Sequence, residues 1–208
     1  MIDVTKQINA VRRDLGTRVL EAGTAWVQTI SQVYDSALDD VWDACTNPER
    51  IPRWFLPVSG DLVVGGKYQL EGNAGGTVQR CDPPKGFAAT WEYGGEVSWI
   101  EVRLTEEPDG VRFELEHTAH VDDVRWAEFG PGATGIGWDL GIMGLAEHLS
   151  GAPGVVPAES MAWLGSAQGK EFITLSSELW GAANVAAGTD EEAARASTDR
   201  CTAAYTAG

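Results

Sequence analysis

Between Asp61 and Val121 the chain alternates short apolar–polar segments with glycine- and proline-rich turns, and this stretch restricts the fold more than any other. The spacing predicts five strands, Lys67–Glu71, Gly76–Cys81, Ala88–Tyr93, Ser98–Thr105 and Val111–Val121, separated by GNAGG, DPPKG, YGGE and EEPDG. In the last two, Ser98, Ile100, Val102 and Leu104 share one face, as do Val111, Phe113, Leu115 and His117, while Glu101, Arg103, Glu114 and Glu116 point the other way. An antiparallel sheet with one wet and one apolar face needs a cover, and the cover must come from helices elsewhere in the chain.

The flanking sequence supplies those helices. Val4, Ile8, Val11 and Leu15 fall on one face of a 3.6-residue period, which predicts an amphipathic helix over Asp3–Leu15. TAWVQTISQVYD reads as a further strand, and SALDDVWDACTNPERIPRWFLP as two helical pieces. Ser36 is expected to cap the first piece with Asp39, and Asn47-Pro48 to break the chain before the second. Three more helices are expected at residues 136–150, about Ser166–Ala187 and about Glu191–Tyr205. The expected architecture is α+β and a single domain over residues 1–208. Its core runs from about 18 to 150, with an N-terminal helix at 1–16 and a C-terminal helical extension at 155–208.

Residues 133–151 contain Gly135-Ile-Gly137-Trp-Asp-Leu-Gly141, which approaches a dinucleotide-binding loop. It has one residue too many before the third glycine, no parallel strand follows, and Trp138 would crowd a pyrophosphate. Placed on a helix, Trp138, Ile142, Leu145 and Leu149 form an apolar stripe beside a second stripe of Gly137, Gly141, Gly144 and His148. A helix apolar on several sides is buried between layers. The glycines mark either tight packing or room left for a ligand.

Taken in order, SALDDVWDACTNPERIPRWF, GGKYQLEG, DPPKGFAATWEYG, VRFELEHTAHV and GIGWDLGIMGLAEHL resemble the START-like superfamily, also called SRPBCC or Bet v-like. Within it they are most similar to homologues of the activator of the heat-shock-protein-90 ATPase. The resemblance runs from about Thr29 to Leu149 and implies a helix-grip fold, in which a curved antiparallel sheet wraps around a long C-terminal helix and an apolar cavity lies between them. Proteins of this fold bind hydrophobic molecules such as lipids, hormones and polyketides. Some are cyclases or aromatases, and others sequester a toxic natural product. The resemblance also places Trp54 and Phe55 at the cavity mouth.

Composition narrows the choice. Fifteen Lys and Arg against 31 Asp and Glu give a formal charge of −16, which argues against nucleic acid and anionic membrane surfaces. No segment approaches the length of an apolar membrane span, and MIDVTKQINAVRRDLG has no hydrophobic signal core, so a cytoplasmic location is expected. Cys45, Cys81 and Cys201 are scattered, which suggests reduced thiols. His117 and His120 lie three apart on a strand and face opposite ways, so no metal site is expected, nor any other cofactor.

The expected ligand-binding residues are Trp54, Phe55, Tyr68, Trp91, Tyr93, Phe113, Leu115, His117, Trp138, Ile142 and Leu145. His117, on the apolar parity of its strand, is the candidate acid–base group or ligand contact, set against a satisfied core histidine. The expected partner is a hydrophobic, polycyclic or polyketide-like small molecule, held for sequestration or self-resistance. A cyclase or aromatase and a chaperone ATPase co-factor are the alternatives. Residues 155–208 are left to lid the cavity or to form a homodimer interface.

Overall fold

The computed structural model describes residues 3–151 and 162–207. The chain opens with helix α1 (Val4–Ala10), capped by the Asp3 side chain, which accepts from the Lys6 N–H. Strands β1 (Arg12–Leu20) and β2 (Gly23–Tyr34) follow, then helix α2 (Leu38–Thr46) and a single 3-10 turn, Ile51–Arg53. Six strands complete the sheet: β3 (Val58–Gly60), β4 (Lys67–Leu70), β5 (Gly75–Asp82), β6 (Gly86–Tyr93), β7 (Glu96–Glu107) and β8 (Gly110–Ala119). Helices α3 (Asp123–Phe129), α4 (Gly132–Leu149), α5 (Ala167–Ala186) and α6 (Glu191–Thr206) end the described chain.

All eight strands join one antiparallel sheet in the order β1-β2-β8-β7-β6-β5-β4-β3. This is the expected α+β helix-grip architecture, with α4 lying in the concave face. The convex face carries a ladder of charge in which Arg103 reaches Glu101, Glu114 and Glu116, and Arg80 also reaches Glu101.

The N-terminal expectation is corrected. The helix stops at Ala10, where Val11 is already extended, and Leu15 belongs to a strand. From Val11 onward the same residues also alternate, and Gly16 is a poor helix former, so nine-residue pairing with β2 prevails over the helical period. The capping expectation is corrected as well. Ala37 is the N-cap of α2, and the Ser36 hydroxyl donates to Asp40, not Asp39, at 2.7 Å. Pro48 starts no helix; Pro52 sits inside the 3-10 turn instead. Of the C-terminal extension, residues 155–161 lie outside the described residues. Its two helices pack against α4, α1, α3 and β1.

Three polar contacts fix α4 along the β1–β2 side of the sheet. At its start, the buried Gln28 amide donates to the Pro131 carbonyl at 2.8 Å, and its oxygen accepts from the Thr134 hydroxyl. In its middle, the buried Tyr34 hydroxyl donates to the Ile142 carbonyl at 3.2 Å, and burial pushes its pKa up. Between them, Asp139 makes an ion pair with Arg13 on β1, at 2.6 Å from Nη2 and 3.0 Å from Nε. Both side chains are almost fully buried, at 1% and 3% exposure. Asp139 Oδ2 also accepts from the Ser176 hydroxyl at 2.6 Å and the Trp180 indole N–H at 2.9 Å, both on α5. One carboxylate therefore binds the sheet edge, the gripped helix and the outer helix together.

Removing one partner of a buried ion pair leaves the other charge without compensation, which costs about 3–5 kcal/mol. Asp139→Asn should lower the unfolding free energy by about 3 kcal/mol in urea denaturation. An unchanged midpoint would show that the pair is dispensable.

Candidate functional site

The concave face and α4 do not close on each other completely. Between them lies a cavity of about 380 Å³, a volume within the range of small-molecule sites. Its floor is the apolar parity of the central strands, with Phe113 and Leu115 from β8, Ile100 and Val102 from β7, and Phe87 and Trp91 from β6. Tyr68 and Leu70 on β4 extend it toward the far edge. Trp138, Ile142 and Leu145 on α4 form its roof, and Trp42, Cys45, Ile51, Trp54 and Phe55, from α2 and the turn after it, form one end. Among the described lining residues none carries a charge.

Several polar groups of this wall already have partners within the protein. The Trp54 indole N–H donates to the Ala44 carbonyl at 2.9 Å, the Tyr68 hydroxyl to the Thr90 carbonyl at 2.7 Å, and the Thr46 hydroxyl to the Trp42 carbonyl at 2.8 Å. Burial pushes the Cys45 thiol up to about 12, so this wall thiol stays protonated and inert at neutral pH. Such a site gains affinity by burying ligand surface.

His117 lies behind the wall. The Trp138 indole N–H donates to its Nδ1 at 3.3 Å, which requires a lone pair there and places the ring proton on Nε2. Nε2 lies 2.9 Å from the Ser98 hydroxyl oxygen, and that hydroxyl donates to the Trp91 carbonyl at 3.0 Å. The chain of donors runs from the Trp138 indole to His117 to Ser98 to the Trp91 backbone carbonyl, so a neutral imidazole orients the Trp138 ring, which meets the Trp91 ring with centroids 4.9 Å apart. Burial lowers the His117 pKa to about 4.

Of the residues expected from sequence, Trp54, Phe55, Tyr68, Trp91, Phe113, Leu115, Trp138, Ile142 and Leu145 come together on the wall. Tyr93 shares the parity of Trp91 but sits at the end of β6, 62% exposed and off the wall. His117 is off the wall too, with both ring nitrogens engaged. His120 contacts the Thr24 carbonyl and the edge of Trp99 on the convex side. His148 accepts from Arg50 Nε at 3.2 Å, and Arg50 also bonds Asp40 and Asp43, so the turn carrying Trp54 is held to the end of α4. Burial, then the Arg50 and Arg53 charges, hold the His148 pKa below the usual range.

Sequence reasoning missed Trp42, Phe87 and Cys45 as wall residues. Trp42 and Cys45 lie three residues apart on α2, a spacing that puts both on one helix face, and Phe87 shares the parity of Trp91. The glycine stripe divides between the two readings. A Cβ at Gly144 would collide with the Trp54 backbone, whereas Gly141 faces the Phe55 ring and lines the cavity. Gly135, outside that stripe, lets the Trp180 ring lie against α4. Among the described residues no group of His, Cys, Asp and Glu is arranged to hold a metal ion, and no helix is long and apolar enough to cross a membrane.

The family described as activator of Hsp90 ATPase homologue 1-like protein matches residues 35–150. CalU16 from Micromonospora echinospora is 36% identical. Its crystal structure has a TM-score of 0.64 over 84% of this chain and 98% of its own, and its solution structure 0.72 over 86% and 97%. DynU16, a protein in the dynemicin biosynthetic locus, is 19% identical, with a TM-score of 0.53 over 60% of this chain and 48% of its own, and shares the fold. No curated protein matches the chain.

The His117 network has a pH signature. With a folded pKa near 4 and an unfolded value near 6.5, the unfolded chain takes up the proton first as pH falls. The stability that the neutral imidazole supports is therefore complete above about pH 6.5 and lost progressively toward pH 4. Between pH 7 and 4.5 the wild type should lose about 2 kcal/mol more than His117→Gln in urea denaturation. Equal losses would exclude the buried neutral imidazole.

Proposed function

This chain belongs to the activator of Hsp90 ATPase homologue 1-like family, and we propose that it binds a hydrophobic, polycyclic or polyketide-like small molecule in the cavity between sheet and α4. The observation that carries the reading is the uncharged, aromatic-rich wall, where the Trp54 indole and the Tyr68 hydroxyl already have protein partners and burial keeps the Cys45 thiol protonated. Trp91, Trp138, Trp54 and Phe55 offer flat apolar faces around one space, which suits a planar ligand. Each large apolar group fully buried on binding contributes about 1.5–3 kcal/mol, so a few such contacts reach micromolar affinity.

The biological role that fits is sequestration of a natural product in the cytoplasm, including self-resistance in a producing organism. The location of DynU16 in a biosynthetic locus supports this reading. A cyclase would need an acid–base group facing the ligand, and both nitrogens of His117 are engaged behind the wall.

Native mass spectrometry of the purified protein should show an adduct of a small apolar molecule, or one acquired on incubation with a planar fluorescent probe. Trp138→Ala and Trp91→Ala should each weaken probe binding about tenfold or more with circular dichroism unchanged. Unchanged affinity in both variants would place the ligand elsewhere.

A further inference from the structure

The sheet has two edges, and they are built differently. β3 is three residues long, too short to template another strand. β1 offers nine residues in unbroken register with β2, with no proline and no bulge. In an antiparallel strand alternate residues turn their N–H and C=O away from the existing partner. Among the described residues no backbone hydrogen bond closes that outer side of β1. A long open edge is a template for a further strand.

Two features say what pairs there. Gly16, at the centre of β1, has no positive φ, and nothing lies within 4 Å of the place a Cβ would take. The monomer gives no reason for glycine, and a glycine inside a strand often marks the approach of another backbone. The charges are also antisymmetric about it. Asp14 and Arg18 lie two residues to either side, on the exposed face opposite the one from which Arg13 reaches Asp139. Asp14 pairs with no described residue, and Arg18 reaches Glu116 at 2.8 Å while remaining 47% exposed.

We propose that the chain forms a two-fold homodimer through antiparallel pairing of β1 with β1 of a second copy, with Gly16 opposite Gly16. That register sets each Asp14 across from the partner copy's Arg18, twice per dimer. Sliding by one pleat in one direction brings Arg12 opposite Arg18, a like-charge pair. Sliding the other way leaves Asp14 opposite Leu20 and Arg18 opposite glycine. The open edge supplies backbone hydrogen bonds, and the charges select one register and one partner, a second copy of this chain.

The test is sedimentation velocity of the full chain from about 5 to about 500 µM. The wild type should shift from monomer to dimer over this range, and raising NaCl from about 0.05 to about 0.5 M should weaken the dimer. Asp14→Arg alone and Arg18→Asp alone each set like charges opposite one another and should weaken association about tenfold or more. Mixed in equal amounts, the two variants restore opposite charges at both positions and should form a heterodimer. Any disturbance of the Glu116 contact by Arg18→Asp is the same alone and in the mixture, so it cannot mimic the recovery. A wild type that stays monomeric throughout, a salt-insensitive dimer, or a mixture no tighter than its components would each overturn the proposal.

Discussion

The carboxylate of Asp139 is the constraint on which the rest of the molecule depends. It is the single charged group on an otherwise apolar run of α4, and burying it is tolerable only because four hydrogen bonds meet it, two of them from a guanidinium. Those partners come from β1 and α5, so the cost of burial is offset only when the sheet edge, the gripped helix and the outer helix are all in place. Hydrophobic contact alone would let α4 rotate or slide, since its apolar residues lie on several sides. The ion pair, with Gln28 at one end and Tyr34 further along, leaves one arrangement.

The polar contacts that Gln28, Tyr34 and Arg13 make from the sheet all lie on β1 and β2. Toward β4, β5 and β6 no hydrogen bond among the described residues draws α4 onto the sheet; there Trp138 meets Trp91 ring to ring, and Leu145 lines the cavity with Phe87 and Tyr68. The cavity is thus a result of one-sided fixation. Its wall is also held from behind, since neutral His117 fixes the Trp138 indole and links it through Ser98 to the backbone of β6. A histidine on the apolar parity of a strand invites an acid–base assignment, yet its two nitrogens here hold the Trp138 indole and the Ser98 hydroxyl.

The strands between Lys67 and Ala119 were legible from alternation and turn residues, because a half-buried antiparallel sheet writes its two faces directly into the chain. The α4 stripe of Trp138, Ile142 and Leu145 was legible for the same reason at helical spacing. β1 was not, since Val11, Arg13 and Leu15 satisfy a strand as well as a helix and only the pairing with β2 decides. Parity placed Tyr93 and His117 beside Trp91 and Leu115 but carries no information on how far along the strand the cavity extends or which side chain stands in front. Asp139 went unread, although a lone acid in GIGWDLGIMGLA was the available signal of a buried ionic contact.

The Arg13–Asp139 bond also joins residues 126 positions apart, and Trp180, 41 positions on from Asp139, closes onto the same carboxylate. Contacts so distant in sequence form only after the loop between them has been closed, which makes folding slow relative to a chain of local contacts. During synthesis β1 and β2 leave the ribosome well before the helix that carries Asp139, so for that interval Arg13 has no acid to meet and the open edge of β1 is at its most vulnerable. The buried ionic contact is complete only once the helix that carries Ser176 and Trp180 has been made as well.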